Sequence, residues 1–500
     1  MRFPRMFRIK KYNISQLLLL AVLFLVLLRI VLAVAVPLLD KTEARYGEIA
    51  RLMVETNEWW KLQVDYGTIF WAKPPLSTWL SALSFKLLGF NELAARLPSI
   101  ILSIALILII CYKEKKRELS IFLPAFILIT IPEFFIHIGV VSTDTTLAFC
   151  IAIAMLSFWE ALQEECPVYW KYLFFIATGF GLLAKGPIML VLTIPPILIW
   201  SVFHKISLFR IMKKLHWISG TFIALLIAVP WYLIAELKSP GFLDYFIIGE
   251  HFKRFFDSGW KGDLYGVPHN QPLGMIWLFL LVFAFPWIQL VFYKLWKERR
   301  SVLHNERLSF LAIWLLWIPF FFTFSSSIIH TYILPVMVPL ALLVLHWWKD
   351  LKPKKIWLSM AAIFPVVILL AAVLFFSSDR SHNFLNSDKY LLSHLDEKPD
   401  FKELPVVYWK RKSFSGQFYS NSKMTLIRDE LALDSMLRYH RNLYIIIPNK
   451  MRKAFPAEHS DNLMLQASNY KTSIFLLNHE GALTNYDPYE TIERTKIVRK

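Results

Sequence analysis

Residues 14–40 read ISQLLLLAVLFLVLLRIVLAVAVPLLD. From Ile14 to Val36 the run holds one charged residue, Arg29, and it supplies the roughly 20 apolar residues a helix needs to cross a hydrocarbon core about 30 Å thick. The preceding MRFPRMFRIKK is basic, as in a signal peptide, but no small-residue cleavage site interrupts the run. We read it as a retained first span. It ends on Asp40, a carboxylate placed where the apolar sequence gives out.

Similar runs recur further along, near residues 93–112, 120–138, 145–162, 170–184, 187–203, 217–235, 273–293, 308–324, 331–347 and 356–377, which makes eleven candidate spans. Composition agrees: 56% of the 500 residues are apolar, 18% are charged, and the mean hydropathy is +0.47. The expected fold is an α-helical polytopic membrane protein with about eleven transmembrane helices. A formal charge of +18 does not point to nucleic acid, because Lys and Arg form short clusters between apolar runs rather than one stripe. The three cysteines, Cys111, Cys150 and Cys166, all fall in the apolar part and imply no disulfide framework.

The basic clusters set the expected orientation. Arg2 to Lys11, KEKKRE from Lys113, Lys205 to Lys214, KLWKERR from Lys294, and Lys349 to Lys355 occupy alternate connections and read as cytoplasmic. Gly139 to Asp144 and Phe324 to His330 hold neither Lys nor Arg and read as outward. The same parity places loops 37–92 and 236–272 outside, and the N-terminus inside. In the first loop Leu76 to Leu88 is too short to span and reads as an interfacial helix, with Trp59, Trp60, Trp71 and Trp79 at that depth. The expected division is a membrane domain over residues 1–377 and an extracytoplasmic α/β domain over 378–500, where short β-rich runs (PVVYW, LYIIIP) alternate with helical stretches such as DELALDSMLRYH.

The candidate chemistry gathers on the outward side. Asp40 precedes Glu43, Arg45, Tyr46 and Glu48, and a carboxylate at the edge of hydrocarbon suits general base work on an acceptor hydroxyl as well as a helix cap. Asp144 opens the fourth span, with Ser142 and Thr143 as rivals for the cap. Lys73 and Lys185 are single lysines in apolar sequence on the face where the positive-inside bias disfavours them; a bound lipid-linked phosphate would offset that cost, and snorkelling to headgroups is the plainer alternative. His251, Lys253, Arg254 and His269 lie in the second long loop, and no HxxxH or HExxH spacing accompanies them. His330, Thr331 and Tyr332 open the tenth span; aromatic-belt packing also suits Tyr332.

The string DKTEARYGEIAR from Asp40, followed by WAKPPLSTWL and NELAARLPS, resembles the bacterial aminoarabinose lipid A transferases and their protein O-mannosyltransferase relatives, a GT-C-type glycosyltransferase family. STDTTLA at Asp144, LLAKGP at Lys185, EHFKRF at His251, FPW at Phe285 and TYILP at Thr331 extend the resemblance over most of the membrane half. It implies a GT-C-like fold in a bacterial inner membrane, and a polyprenyl-phosphate sugar as donor. It also implies Asp40 as the catalytic carboxylate with Asp144 as the second acid, Lys73 on the donor phosphate, and Lys185, Arg254 and Tyr332 as further donor contacts. Glu43, Arg45 and Tyr46 join that binding set. His251 matches a histidine that binds metal in some members. Here Ala72 stands where many relatives carry an acid before the lysine, which weakens a divalent metal site built on His251.

The expected activity is therefore sugar transfer from a polyprenyl-phosphate donor to an extracytoplasmic acceptor, which is a lipid A-type lipid, a protein or a cell-envelope glycan. Membrane lipids are further partners. The rival is a transporter or flippase of lipid-linked anions, which would also place cations outward, but the chain shows no inverted repeat and its unusual residues gather on one face.

Overall fold

The computed structural model describes residues 14–115, 120–257, 262–266, 269–325, 327–396, 404–422 and 424–478. The basic stretch Arg2 to Lys11, Lys116 to Glu118 of the KEKKRE run, and residues 479–500 of the expected C-terminal domain lie outside the described residues. By contact the chain forms two compact units. One comprises residues up to Val36 and Ile49–Ala371, the other Pro37–Glu48 and the residues from Ala372 onward. A short piece of the loop after the first span, with Asp40 in it, thus packs in the same unit as residues of the C-terminal part.

In the larger unit every apolar segment read from the sequence contains helix. Segment 120–138 is two short helices, Leu123–Ile129 and Pro132–His137. Segment 273–293 is also broken: Met275–Phe283 and Trp287–Lys297 meet at 110°, with Pro286 at the bend, where a proline cannot continue the helical ladder. Six helices are long and apolar enough to cross a membrane: Ser15–Ala35, Glu92–Glu114, Thr143–Ala161, Trp217–Lys238, His330–Trp347 and Lys354–Phe376. The bent pair is a seventh if counted as one span. The expected count of eleven transmembrane helices is therefore not reached among the described residues; Ile188–Phe203 and Glu306–Phe322, for example, stop at 16 and 17 residues.

Burial sorts the helices into a centre and a rim. Thr143–Ala161 and His330–Trp347 are 78% buried, whereas Lys354–Phe376 is only 17% buried and turns Val366, Leu370 and Leu374 outward. An exposed apolar face of that kind suits lipid, since lipid tails are as apolar as the side chains they meet. Small residues allow close approach between helices: a Cβ on Gly220 would fall 2.1 Å from the Phe175 ring. Arg29, the one charge in the first span, donates to the carbonyls of Phe135 (3.1 Å), Ile136 (2.7 Å) and Gly139 (2.6 Å), which end the Pro132–His137 helix. Its charge thus meets the negative end of a helix rather than bare hydrocarbon.

The loop after the first span carries a two-stranded hairpin, β1 (Gln63–Asp65) with β2 (Thr68–Ile69), and then the 13-residue helix Leu76–Leu88. That helix is where the interfacial helix was expected. The Trp79 indole donates to the Trp59 carbonyl at 2.7 Å and packs edge-on to Trp60.

The smaller unit is an α/β sandwich around a five-stranded sheet, ordered β4-β3-β5-β7-β6. Its strands are β3 (Val406–Trp409), β4 (Thr425–Ile427), β5 (Asn442–Pro448), β6 (Leu463–Ser468) and β7 (Thr472–Asn478). β3 pairs in parallel with β4 and β5, and β7 is antiparallel to β5 and β6. Alternation along β5 puts Leu443, Ile445 and Ile447 in one apolar cluster and Tyr444 and Ile446 in the other, so both faces are covered. The continuous apolar run LYIIIP is the sequence mark of such a strand.

Candidate active site

In the larger unit the expected cations stand in two linked clusters. The first is built on Glu250, whose side chain is 2% exposed. Its Oε2 accepts from Lys73 Nζ at 2.8 Å, and both its oxygens accept from Arg254 Nη1 at 3.1 Å. Lys73 also donates to its neighbour's carbonyl, Ala72 O, at 2.6 Å. The π-helical turn Asp244–Lys253 brings Glu250 and Arg254 onto one side. Trp71 and Tyr265 pin the loop that carries Lys73: Trp71 Nε1 donates to Ser239 Oγ at 2.7 Å, and Tyr265 hydroxyl donates to Ile69 O at 2.8 Å. Burial alone would raise the Glu250 carboxyl, but Lys73 and Arg254 outweigh it and hold the group down at about 2. Arg254 Nη1 also lies 3.6 Å from the buried Asp263 Oδ2, and the three and five N–H donors of Lys73 and Arg254 exceed what Glu250 accepts.

The second cluster is centred on Asp144. Ser142, not Asp144, caps the Thr143–Ala161 helix, its Oγ accepting from the Asp144 N–H at 3.0 Å. The Asp144 carboxylate is thereby available to pair with Lys185 and to accept from Thr331 Oγ1 at 3.1 Å. The Lys185 ammonium lies 4.4 Å from the centre of the Tyr332 ring. Gly186 follows with φ +79, and a Cβ there would fall 2.6 Å from Phe246 and 3.2 Å from the His251 ring. Only glycine both ends the helix in that conformation and admits His251 beside it.

His251 joins the clusters and does not look outward. Its Nδ1 is 2.8 Å from Phe246 O and its Nε2 is 3.2 Å from Lys185 O, and burial pushes the imidazole below its usual range. Among the described residues no three His, Cys, Asp or Glu side chains group to hold a metal ion. With both ring nitrogens near carbonyls and Ala72 next to Lys73, the described residues around His251 do not fit a metal site. A further buried group sits on nearby helices: Glu133 is fully buried, and its carboxylate lies 2.9 Å from His330 Nδ1 and 3.2 Å from His137 Nδ1.

In the smaller unit Asp40 does not cap the helix that follows it. Its carboxylate, 2% exposed, accepts from Ser415 N (3.0 Å), Ser415 Oγ (2.8 Å) and Lys471 Nζ (3.2 Å). Glu43, Arg45 and Tyr46 lie on the first turns of Thr42–Thr56. Glu43 is buried with Leu39 N 3.5 Å from its Oε2, and the Arg45 guanidinium lies over the rings of Tyr46 (5.4 Å) and Phe414 (5.9 Å). Sequence reasoning gave no role to Glu250, Glu133, Ser415 or Lys471. For Glu250 a signal existed, a carboxylate four residues before Arg254, the spacing of a helical ion pair.

Residues 14–246 match the family model described as dolichyl-phosphate-mannose-protein mannosyltransferase. The fold is similar to that of ArnT from Cupriavidus metallidurans, solved bound to undecaprenyl phosphate, with a TM-score of 0.72 at 18% identity over 95% of this chain and all of that one. The chain resembles the GT-C-type glycosyltransferases. Its GT-C-like sequence relatives include the undecaprenyl phosphate-alpha-4-amino-4-deoxy-L-arabinose arabinosyl transferase 2 of Pseudomonas fluorescens, 26% identical over 62% of this chain and 55% of that protein. The corresponding transferase of Erwinia tasmaniensis is 27% identical over 61% of this chain and 54% of its own length. This chain thus spans a little over half the length of the curated relatives it matches. The family match ends before Glu250 and Arg254, and well before Ser415 and Lys471.

Proposed function

We propose that the protein is an inner-membrane glycosyltransferase that moves a sugar from a polyprenyl-phosphate donor to an acceptor on the extracytoplasmic face. The observation that carries this reading is the Lys73–Glu250–Arg254 cluster, two largely buried cations gathered on the buried Glu250 carboxylate, with Asp263 as a second acid beside Arg254. Arg254 also lies 3.6 Å from the buried Asp263 carboxylate, and the two cations still carry more N–H donors than these carboxylates engage, which suits the entry of a lipid-borne phosphate. The relatives' printed activities, which use undecaprenyl-phosphate sugars, support the same donor class.

In the proposed step the acceptor oxygen attacks the anomeric carbon. The bond from that carbon to the phosphate oxygen breaks, its electron pair stays on the phosphate, and Lys73 and Arg254 neutralise the growing charge. The acceptor's proton passes to Asp40, and one displacement inverts the anomeric centre. Asp144 holds Lys185 and Tyr332 for a further contact with the donor head. Lipid A-type lipids, proteins and envelope glycans are the acceptor classes to be tried.

The test is the full chain in liposomes with synthetic polyprenyl-phosphate-linked aminoarabinose and mannose, and with lipid A or peptide acceptors. Sugar transfer with an inverted anomeric centre is expected, and Asp40→Asn should abolish it at unchanged protein level. Movement of the donor across the bilayer with no transfer to any acceptor would favour the transporter reading and sink this one.

A further inference from the structure

We propose that Ser415 and Lys471 are positioning residues for the Asp40 carboxylate. This rests on the reading of Asp40 as the catalytic carboxylate.

Asp40 is held from every side by residues more than 340 positions away. Its backbone N–H donates to Asn386 O at 2.7 Å, and its carbonyl accepts from Asn386 Nδ2 at 2.6 Å. Its side chain takes three donors, two from Ser415 and one from Lys471, and Lys471 Nζ also donates to Asn386 Oδ1 at 2.8 Å. An ionised carboxylate offers about four acceptor sites, so three fixed donors settle its orientation and leave about one for an incoming proton.

The donors are themselves fixed. Lys471 sits in the turn between β6 and β7, where its N–H and that of Thr472 both donate to Asn469 Oδ1, at 2.9 and 2.8 Å, and its carbonyl accepts from Asn449 N at 2.8 Å. Ser415 is fully buried, and its Oγ accepts from the Asp388 N–H at 3.0 Å while donating to Asp40. Behind it the Asp388 carboxyl accepts from Tyr408 hydroxyl at 3.1 Å and from Ser413. Burial, joined by the neighbouring Asp40 charge and opposed by Ser413, pushes the Asp388 carboxyl above its ordinary range. Docking the loop alone would be met by the two backbone bonds to Asn386; the three additional bonds act only on the carboxylate.

Orientation of a reacting group is worth large factors, and misplacement by about 1 Å costs on the order of 100-fold. The test is steady-state transfer by the full-length protein in liposomes for Asp40→Asn, Ser415→Ala, Lys471→Met, Lys471→Arg and Leu433→Ala. Leu433 is a fully buried core residue in the sheet's other apolar cluster and serves as a control for loosened packing. Ser415→Ala and Lys471→Met are expected to lower kcat by about 10- to 100-fold with the donor KM changed less than about twofold, and Lys471→Arg to recover part of the loss. Wild-type rates in both, with Asp40→Asn inactive, would overturn the inference and leave the reading of Asp40 standing. Full activity in Asp40→Asn would remove that reading and the inference together. An equal fall in Leu433→Ala would show that the effect is general loosening and overturn the inference.

Discussion

The two aspartates that the sequence singles out are held in opposite ways. Asp144 is gripped by groups from its own helical unit, and the short strings around them, STDTTLA, LLAKGP and TYILP, carry both sides of the contact. Asp40 sits in an equally recognisable string, yet every side chain on its carboxylate comes from the C-terminal region, whose sequence is ordinary. A motif can therefore mark a residue without revealing what fixes it. The larger unit lets neighbouring helices bring their ends together, whereas the sheet of the smaller unit joins segments by register, which no local pattern reports.

The largest expected effect lies in the membrane unit, where Glu250 carries two cations. Replacing it by Gln takes the carboxylate from Lys73 and leaves Arg254 only the more distant Asp263 in a largely buried site, and removal of one partner from such a pair costs about 3–5 kcal/mol. Glu250→Gln should lower the melting temperature in detergent far more than Lys471→Met does. A small shift would mean that the cluster is wetter than its burial implies, and the contrast between the two regions would fail.

The cause of that effect can be sharpened by pH. The Glu250 carboxyl is held at about 2 against an ordinary 4.5, so its contribution to stability is complete above about 4.5 and is lost as pH falls toward 2. His251, pushed below 6.5 by burial, adds to the decline once pH drops under that value, because the unfolded chain takes up its proton first. The wild type should therefore lose more stability than Glu250→Gln between about pH 7 and pH 3, measured as melting temperature against pH. Parallel curves would show that Glu250 is not the titrating group.

Legibility followed the same division. Each of the eleven apolar segments contains helix because hydrophobic run length is a local property, but the breaks at Pro132 and Pro286 divided two of them, and several others are too short to count as spans. Lys73 and Lys185 were readable as lone charges in apolar sequence and Asp144 as an acid at the start of a span, while Arg254 and Tyr332 drew their expected roles from the family resemblance. Lys73 meets Arg254 on Glu250, and Lys185 meets Asp144 and Tyr332. Glu250 was passed over because an acid beside basic residues in a polar loop looks ordinary until its burial is known. Ser415 and Lys471 bore no mark at all, and His251 drew attention as a ligand although both its nitrogens serve backbone carbonyls.

A middle-sized effect is expected at Gly186. Alanine there would have to adopt φ +79 and would press on Phe246 at 2.6 Å, so a loss of about 1–3 kcal/mol should follow, together with a higher donor KM as Lys185 and His251 move apart. A fall in stability with KM unchanged would separate the helix end from the donor contact.

The smallest effect tests whether burial, rather than ion pairing as such, distinguishes the site. Lys238 and Glu58 form a pair at 3.1 Å in the same larger unit, with the same chemistry as Lys73 and Glu250, but their side chains are 42% and 24% exposed against 18% and 2%. Water screens the exposed pair and takes over its hydrogen bonds when one partner is lost, so such pairs contribute about 0–1 kcal/mol. Glu58→Gln should accordingly shift the melting temperature little and leave transfer unchanged, and added salt should erase what difference remains. If Glu58→Gln were as damaging as Glu250→Gln, depth would not be what sets the Lys73 cluster apart, and the case for an anion drawn to buried cations would lose its physical basis.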